Sequence, residues 1–312
     1  MKNLVLGPSG LTLREGASEG HLETHPIEIP SGFDHATVSW NIHQPGDTMA
    51  TVLFRVRGQQ FGWSDWLGPE TENKKNPGLD RTWVWDVDQV TTRSPCSHFQ
   101  IDLRMVSENR EIHPPMVRGV YFTSRNSRVF ELSCLNETPE QTPLIESVPH
   151  LCQHDGDEEK GERLCSPTSL AMVLRGYGIE ASPQEMAELA YDPVHNLYGV
   201  WPRAIHAAFQ KRALGWVEYV GNWKRAVQYL KRGIPLVCSI AFRKNELENP
   251  PYTSTKGHLL VLLGIDEEGR AVTHDPNLPS DKGAFLKWSP KDFSKAWFGH
   301  GGLAYVIAGK TD

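Results

Sequence analysis

Gly161-Glu-Arg-Leu-Cys165-Ser-Pro-Thr-Ser-Leu-Ala-Met-Val-Leu174 sets a cysteine two residues ahead of Pro167, a residue favoured in the first turn of a helix, and follows it with an apolar run. The pattern predicts a helix from Ser166 to Arg175, ended by Gly176 or Gly178, with the Cys165 sulfur at its N-terminus. Unpaired amides and the helix dipole at such an end favour a thiolate over a thiol. Leu170, Met172, Val173 and Leu174 cover more than one helix face, so the helix should be buried behind that reactive end.

Around this helix the signals mix helix caps and strands. Ser182-Pro-Gln-Glu185 is a capping box with proline at the first helical position, and Ser289-Pro-Lys-Asp292 repeats it with a shorter acid. Asn222 can cap a helix closed after Lys231-Arg232 by Gly233. Helices are therefore expected to dominate residues 166 to 232. Strands are expected afterwards, over 235–242, 259–265, 271–274, 284–288 and 303–308, an α+β layout with helices first and sheet second.

Two of those strands carry further chemistry. His258 opens the apolar run Gly257-His-Leu-Leu-Val-Leu-Leu-Gly264, where an imidazole can serve as a general base and Gly257 leaves room for an approaching chain. Asp275 follows Arg270-Ala-Val-Thr-His-Asp-Pro276, and the intervening Asp266-Glu-Glu-Gly269 turn predicts a hairpin. The hairpin brings His258 and Asp275 to one end, the arrangement in which a carboxylate fixes the tautomer of an imidazole that serves a nucleophile.

The N-terminal half reads differently. Val52, Phe54 and Val56 alternate with Arg55 and Arg57, and Phe99, Ile101, Leu103 and Met105 alternate with Gln100, Asp102 and Arg104. Turn clusters such as Gln44-Pro-Gly-Asp and Asn76-Pro-Gly separate such runs, and no helical stretch intervenes, which predicts an all-β sandwich. The pattern dissolves around Thr138-Pro-Glu-Gln-Thr-Pro143, so two domains are expected, a β-sandwich over 1–140 and an α+β domain over 141–312.

A net charge of −6 leaves no basic surplus to neutralise phosphates, which argues against a nucleic-acid partner. The opening apolar stretch is too short for a signal-peptide core and no run reaches membrane-spanning length. The expected location is therefore the cytoplasm, with secretion the alternative if a signal sequence has been removed. Five widely spaced cysteines, Cys96, Cys134, Cys152, Cys165 and Cys238, include no Cys-x-x-Cys pair, so at least one free thiol and no zinc site are expected.

Val148-Pro-His-Leu-Cys-Gln153, Cys165-Ser-Pro-Thr-Ser-Leu-Ala-Met-Val-Leu174, Gly257-His258-Leu-Leu-Val-Leu-Leu-Gly264 and Asp275-Pro276, in this order, resemble the bacteriocin-processing (double-glycine leader) cysteine peptidase-like family, family C thirty-nine-like. The resemblance implies a papain-like cysteine peptidase with Cys165 as nucleophile, His258 as base, Asp275 as orienting acid, and Gln153 as oxyanion donor beside the Cys165 amide. Ser166 stands where the family usually has glycine, and Gln153 lies farther from the cysteine than is usual. The implied reaction is hydrolysis of a peptide bond through a thioester acyl-enzyme, with a peptide or protein substrate and no cofactor or metal. A transpeptidase or other acyltransferase on the same fold is the alternative, and a degenerate binding protein is a third reading. Double-glycine specificity belongs to relatives fused to transporters and is not expected here. Phe54-Arg-Val-Arg57, Trp63-Ser-Asp-Trp66-Leu-Gly68 and Ile101-Asp-Leu-Arg104 are similar to a β-sandwich module found ahead of such peptidase domains in bacteria, with a glycan or a protein as its candidate ligand.

Blander readings stand beside these. His274 should be structural, and Asn277 is the alternative partner for His258. The acidic run Asp155-Gly-Asp-Glu-Glu159 lacks the spacing of a calcium loop and reads as solvated. Trp63 and Trp66 could form a sugar platform but are expected in the core.

Overall fold

The computed structural model describes residues 1–69, 71, 74–75, 82–108, 113–129, 132–155 and 161–310. The expected Asn76-Pro-Gly turn and all but Asp155 of the acidic run lie outside the described residues. Two compact units are present, Met1–Arg128 and Val129–Asp312. The division falls ahead of residue 140 because Cys134 and Leu135 pack into the apolar core of the second unit.

The first unit is all β. Strands β1 (Leu4–Gly7), β2 (Gly10–Leu13), β3 (Glu19–Glu23), β4 (Ile27–His43), β5 (Thr48–Gly58), β6 (Gly62–Trp63), β7 (Lys74–Lys75), β8 (Trp83–Asp86), β9 (Gln89–Ser107) and β10 (Met116–Arg125) form one hydrogen-bonded sheet. The sheet is continuous because β4 and β9 pair with different neighbours at their two ends. β9 meets β8 through Gln89–Thr92 and β3 through Asp102–Val106. β4 meets β9 from Ile27 to Ala36, with register shifts on either side of Phe33, and meets β10 from His35 to His43, so that only β10 pairs with its last residues. Irregularities of this kind bend long strands. Val52, Phe54 and Val56 are buried as their alternation requires. Gln100 and Asp102, read as outward-facing, are buried too. Gln100 donates to the Thr24 carbonyl, and Asp102 accepts from His21 and Arg104, so both have the partners that burial demands.

The second unit is a mixed α/β structure built on a six-stranded antiparallel sheet. Its strands are β11 (Ala213–Tyr219), β12 (Leu236–Phe242), β13 (Thr255–Ile265), β14 (Ala271–His274), β15 (Leu286–Trp288) and β16 (Leu303–Lys310), in the order β11-β16-β12-β13-β14-β15. Helices α1 (Cys165–Gly176), α2 (Pro183–Ala190) and α3 (Trp201–Gln210) pack with Leu259, Val261 and Leu263 of β13 in one core cluster. Helices α4 (Trp223–Leu230) and α5 (Pro290–Trp297) pack with Leu260 and Leu262 in another. Successive β13 residues thus point into opposite layers, which explains why its sequence is uniformly apolar rather than alternating.

The caps act as their sequences require. Ser182 Oγ accepts from the Glu185 amide, Ser289 Oγ from the Asp292 amide, and Asn222 Oδ1 from the Arg225 amide. Helices dominate residues 166–232 as expected, but the order is not strictly helices first and sheet second, because β11 lies among them and pairs with β16 from Ala213 to Tyr219.

Candidate active site

Helix α1 begins at Cys165, with no side-chain cap on its N-terminus. Its body is anchored by complete burial of Leu170, Ala171, Met172, Val173 and Leu174, and by Ser169 Oγ, which donates to the Leu259 carbonyl of β13. A buried helix held to the strand that carries His258 fixes the distance between sulfur and imidazole. Ser166, the departure from glycine, is itself buried and its hydroxyl meets Tyr305 Oη at 3.0 Å. The larger residue therefore has a partner of its own on β16.

The β13–β14 hairpin closes at Asp266, whose amide donates to the Arg270 carbonyl at 3.0 Å. Its register pairs Val261 with His274, leaving His258 and Asp275 at the open end. His258 Nε2 donates to Asp275 Oδ1 at 2.7 Å, and both residues are buried. The side chain of His258 is also hydrogen-bonded to Cys165. Since Nε2 serves Asp275, the nitrogen left for sulfur is Nδ1.

Burial alone would push the Cys165 thiol up. The hydrogen bond and positive charge of His258, joined by backbone hydrogen bonds from Leu259 and Ser166, outweigh that and hold it below its ordinary value. Burial likewise opposes a charged His258, yet its bonds to Asp275 and Cys165 raise its pKa well above the ordinary imidazole value. The shifts are mutual, as in a thiolate–imidazolium pair.

The other cysteines differ. All five are free, but Cys96, Cys134, Cys152 and Cys238 are buried while Cys165 is half-buried. Burial pushes Cys96 up to about 11 and Cys238 well above its ordinary value.

Asp275 is held from several sides. Its amide donates to the Gly283 carbonyl and its carbonyl accepts from His150 Nε2, both at 2.9 Å. Oδ1 accepts a second bond from the Asn277 amide, also at 2.9 Å. Asn277 therefore supports Asp275 through its backbone, while its side-chain oxygen faces Gln153 Nε2 and His154 Nε2 at 3.4 and 3.0 Å. Gln153 is buried and its amide donates to the Pro276 carbonyl at 2.7 Å, which ties it to the Asp275 turn. Its Oε1 has no hydrogen-bond partner among the described residues. His274 faces away from this chemistry. Nε2 donates to the Val148 carbonyl, Nδ1 accepts from the Phe285 amide, and burial pushes its pKa down to about 4, the state of a neutral structural imidazole. At Gly257 an added Cβ would meet no atom within 4 Å, consistent with open space beside His258.

Tyr252 has no sequence signature, lying in the β12–β13 connection among prolines and threonines. Its ring stands edge-on to His258, centroids 5.9 Å apart at 90°, and stacks on Phe242 at 5.4 Å.

The first unit offers no comparable constellation among its described residues. Trp63 and Trp66 are half-buried, with the Arg55 guanidinium 4.9 and 4.4 Å from their ring centroids, so they are neither core nor a bare sugar platform. His21, Glu23 and Asp102 bring ligand-type atoms within 4.8 Å of one another. Arg104 and Arg55 already bond to the two carboxylates.

A sequence model described as Peptidase_C39 like family matches residues 145–305, about half of the chain. Among solved structures, the peptidase domain of Streptococcus ComA, a bifunctional ABC transporter involved in quorum sensing, is similar at 20% identity and a TM-score of 0.35, over 52% of this chain and 99% of that one. A double glycine motif protease from an AMS/PCAT transporter, solved with its leader peptide, is similar at 15% identity and a TM-score of 0.35, over 55% and 94%. Comparison with curated proteins finds no match. No helix among the described residues is long and apolar enough to cross a membrane.

Proposed function

The chain belongs to the Peptidase_C39 like family, and from that premise we propose that it is a cysteine peptidase in which Cys165, His258 and Asp275 form the catalytic triad. The observation that carries the reading is the hydrogen-bonded sequence from sulfur to imidazole to carboxylate, set at the uncapped N-terminus of a buried helix. The Cys165 thiolate attacks the carbonyl carbon of a peptide bond, and the carbonyl oxygen takes the negative charge. As the tetrahedral intermediate collapses the C–N bond breaks, and the leaving amine takes its proton from His258 Nδ1. Water, deprotonated by the same nitrogen, then attacks the thioester and releases the acid and the thiolate.

The oxyanion is assigned to the Cys165 backbone amide and the Gln153 side chain. Support for Gln153 comes from its burial and from its ties to the Asp275 turn through Pro276 and Asn277. We assign the second unit, from Val129 onward, to the peptidase domain and the first, up to Arg128, to an accessory β-sandwich folded from one bent sheet, whose ligand is a glycan or a protein.

The test is turnover of a peptide library by the full chain and by Cys165→Ala. Products carrying a new carboxylate, absent with the variant, support hydrolysis. Products carrying an added amine would move the reading to acyl transfer, and identical products from both proteins would end it.

A further inference from the structure

Among the described residues, two buried polar atoms in the site make no hydrogen bond of ordinary geometry, and they are complementary. Asp275 uses Oδ1 for both His258 and the Asn277 amide, leaving Oδ2 buried with no hydrogen bond. The Tyr252 hydroxyl is equally buried and makes no hydrogen bond of ordinary geometry among the described residues, yet it lies close enough to the Asp275 side chain to be influenced by it as a hydrogen-bond partner. A buried acceptor and a buried donor left unmade each carry a desolvation cost, which a bond between them removes. Tyr252 is positioned for this by contacts its hydroxyl does not need. Its ring lies edge-on to His258 and stacks on Phe242. The connection that carries it is pinned to α5 by Asp292, which accepts from the Glu248 and Asn249 amides at 3.0 Å each.

We propose that Tyr252 is a fourth member of the assembly, a positioning residue whose hydroxyl donates to Asp275 Oδ2 while its ring shields the His258–Asp275 bond from water. The proposal rests on the cysteine-peptidase reading above. In keeping with it, burial raises the Tyr252 pKa and the neighbouring charges of Asp275 and Cys165 raise it further, so the hydroxyl keeps its proton and stays a donor. With Oδ1 doubly engaged and Oδ2 held by Tyr252, the carboxylate cannot rotate away from His258. A buried carboxylate oxygen without a donor would instead draw in water or loosen Asp275, and either weakens the imidazolium that keeps Cys165 ionised.

Tyr252→Phe keeps both ring contacts and removes only the hydroxyl, so it separates the proposal from a packing role. Three readouts on the full chain decide it: the pH dependence of Cys165 alkylation by iodoacetamide, kcat and KM on a cleaved peptide, and the proton NMR signal of His258 Nε2–H. The proposal expects the acid limb of alkylation to move to higher pH, kcat to fall about tenfold with KM little changed, and the Nε2–H resonance to move. Tyr252→Leu, which loses ring and hydroxyl together, should be worse in all three. A Tyr252→Phe protein with wild-type pH profile, kcat and resonance overturns the role of Tyr252 and leaves the triad standing. A wild-type Cys165 no more reactive than the buried cysteines overturns the underlying reading as well, and the NMR signal still reports whether the hydroxyl acts on the His258–Asp275 pair.

Discussion

Replacing Asp275 by asparagine isolates the charge of the orienting carboxylate. The backbone that holds this position, through Gly283 and His150, does not depend on the side chain. The Asn277 amide, 2.9 Å from Oδ1, selects the rotamer in which an amide oxygen occupies that place and still accepts from His258. Geometry should therefore survive while a charge-assisted bond of 2.7 Å becomes a neutral one. Charge-assisted bonds are roughly twice as strong as neutral ones, so the loss is about 1 to 1.5 kcal/mol of imidazolium stabilisation. That corresponds to about one pKa unit. Because the thiolate is held by the imidazolium, the Cys165 acid limb should move up by a similar amount, and alkylation below that limb should slow about tenfold. The assay is second-order alkylation by iodoacetamide across pH, with the modified cysteine identified by mass spectrometry. An unchanged limb in a folded Asp275→Asn protein would refute the claim that Asp275 supports the pair electrostatically.

Three further outcomes follow from contacts and burial in the second unit, including His206 of α3. In Gly283→Ala the new Cβ would stand 2.6 Å from the Asp275 carbonyl oxygen and 2.7 Å from His150 Nε2, so the turn must shift; a loss of about 1 to 3 kcal/mol in urea unfolding is expected, with reduced activity. Asp292→Ala strips the Glu248 and Asn249 amides of their acceptor and should cost about 2 kcal/mol, together with a kcat defect if the connection carrying Tyr252 loosens. Burial pushes His206 and His274 down to about 4, so the unfolded chain takes up protons first as pH falls through the ordinary imidazole range. Stability from these two residues is complete above about pH 6.5 and declines towards pH 4, by up to about 2 kcal/mol each at pH 5. His258, whose pKa is raised, has the opposite sign: its contribution is complete at low pH and lost as pH rises through the raised value. Urea midpoints at several pH values check the acid side, and a flat profile between neutrality and pH 5 would contradict it.

Much of the second unit was legible because its signals are local. Cys165 before Pro167, serine and asparagine caps, and the Asp266–Gly269 turn each act within a few residues; the first puts sulfur at the α1 N-terminus, and the last brings His258, inside β13, beside Asp275, just past β14. Strand β11 escaped because the turn into it is made by Arg212, a non-glycine residue at φ +62°, so no turn residue announced it. Burial of Gln100 and Asp102 escaped because their partners, in and just after β3, are about 80 positions away. Tyr252 was invisible for the same reason: what marks it is a buried hydroxyl close to a buried carboxylate, neither Tyr252 Oη nor Asp275 Oδ2 having a hydrogen bond of ordinary geometry among the described residues. The continuous sheet of the first unit likewise depends on which neighbours β4 and β9 choose at each end, which alternation alone does not encode.

Whether His258 keeps Cys165 ionised is read by alkylating all five cysteines with iodoacetamide across pH, in the native protein and in His258→Ala. Cys165 is expected to react first and well below the pH at which an ordinary thiol ionises, and His258→Ala to remove this advantage while the four buried cysteines stay inert. A Cys165 that reacts no faster than the others, or one that keeps its advantage without His258, would contradict that role of His258.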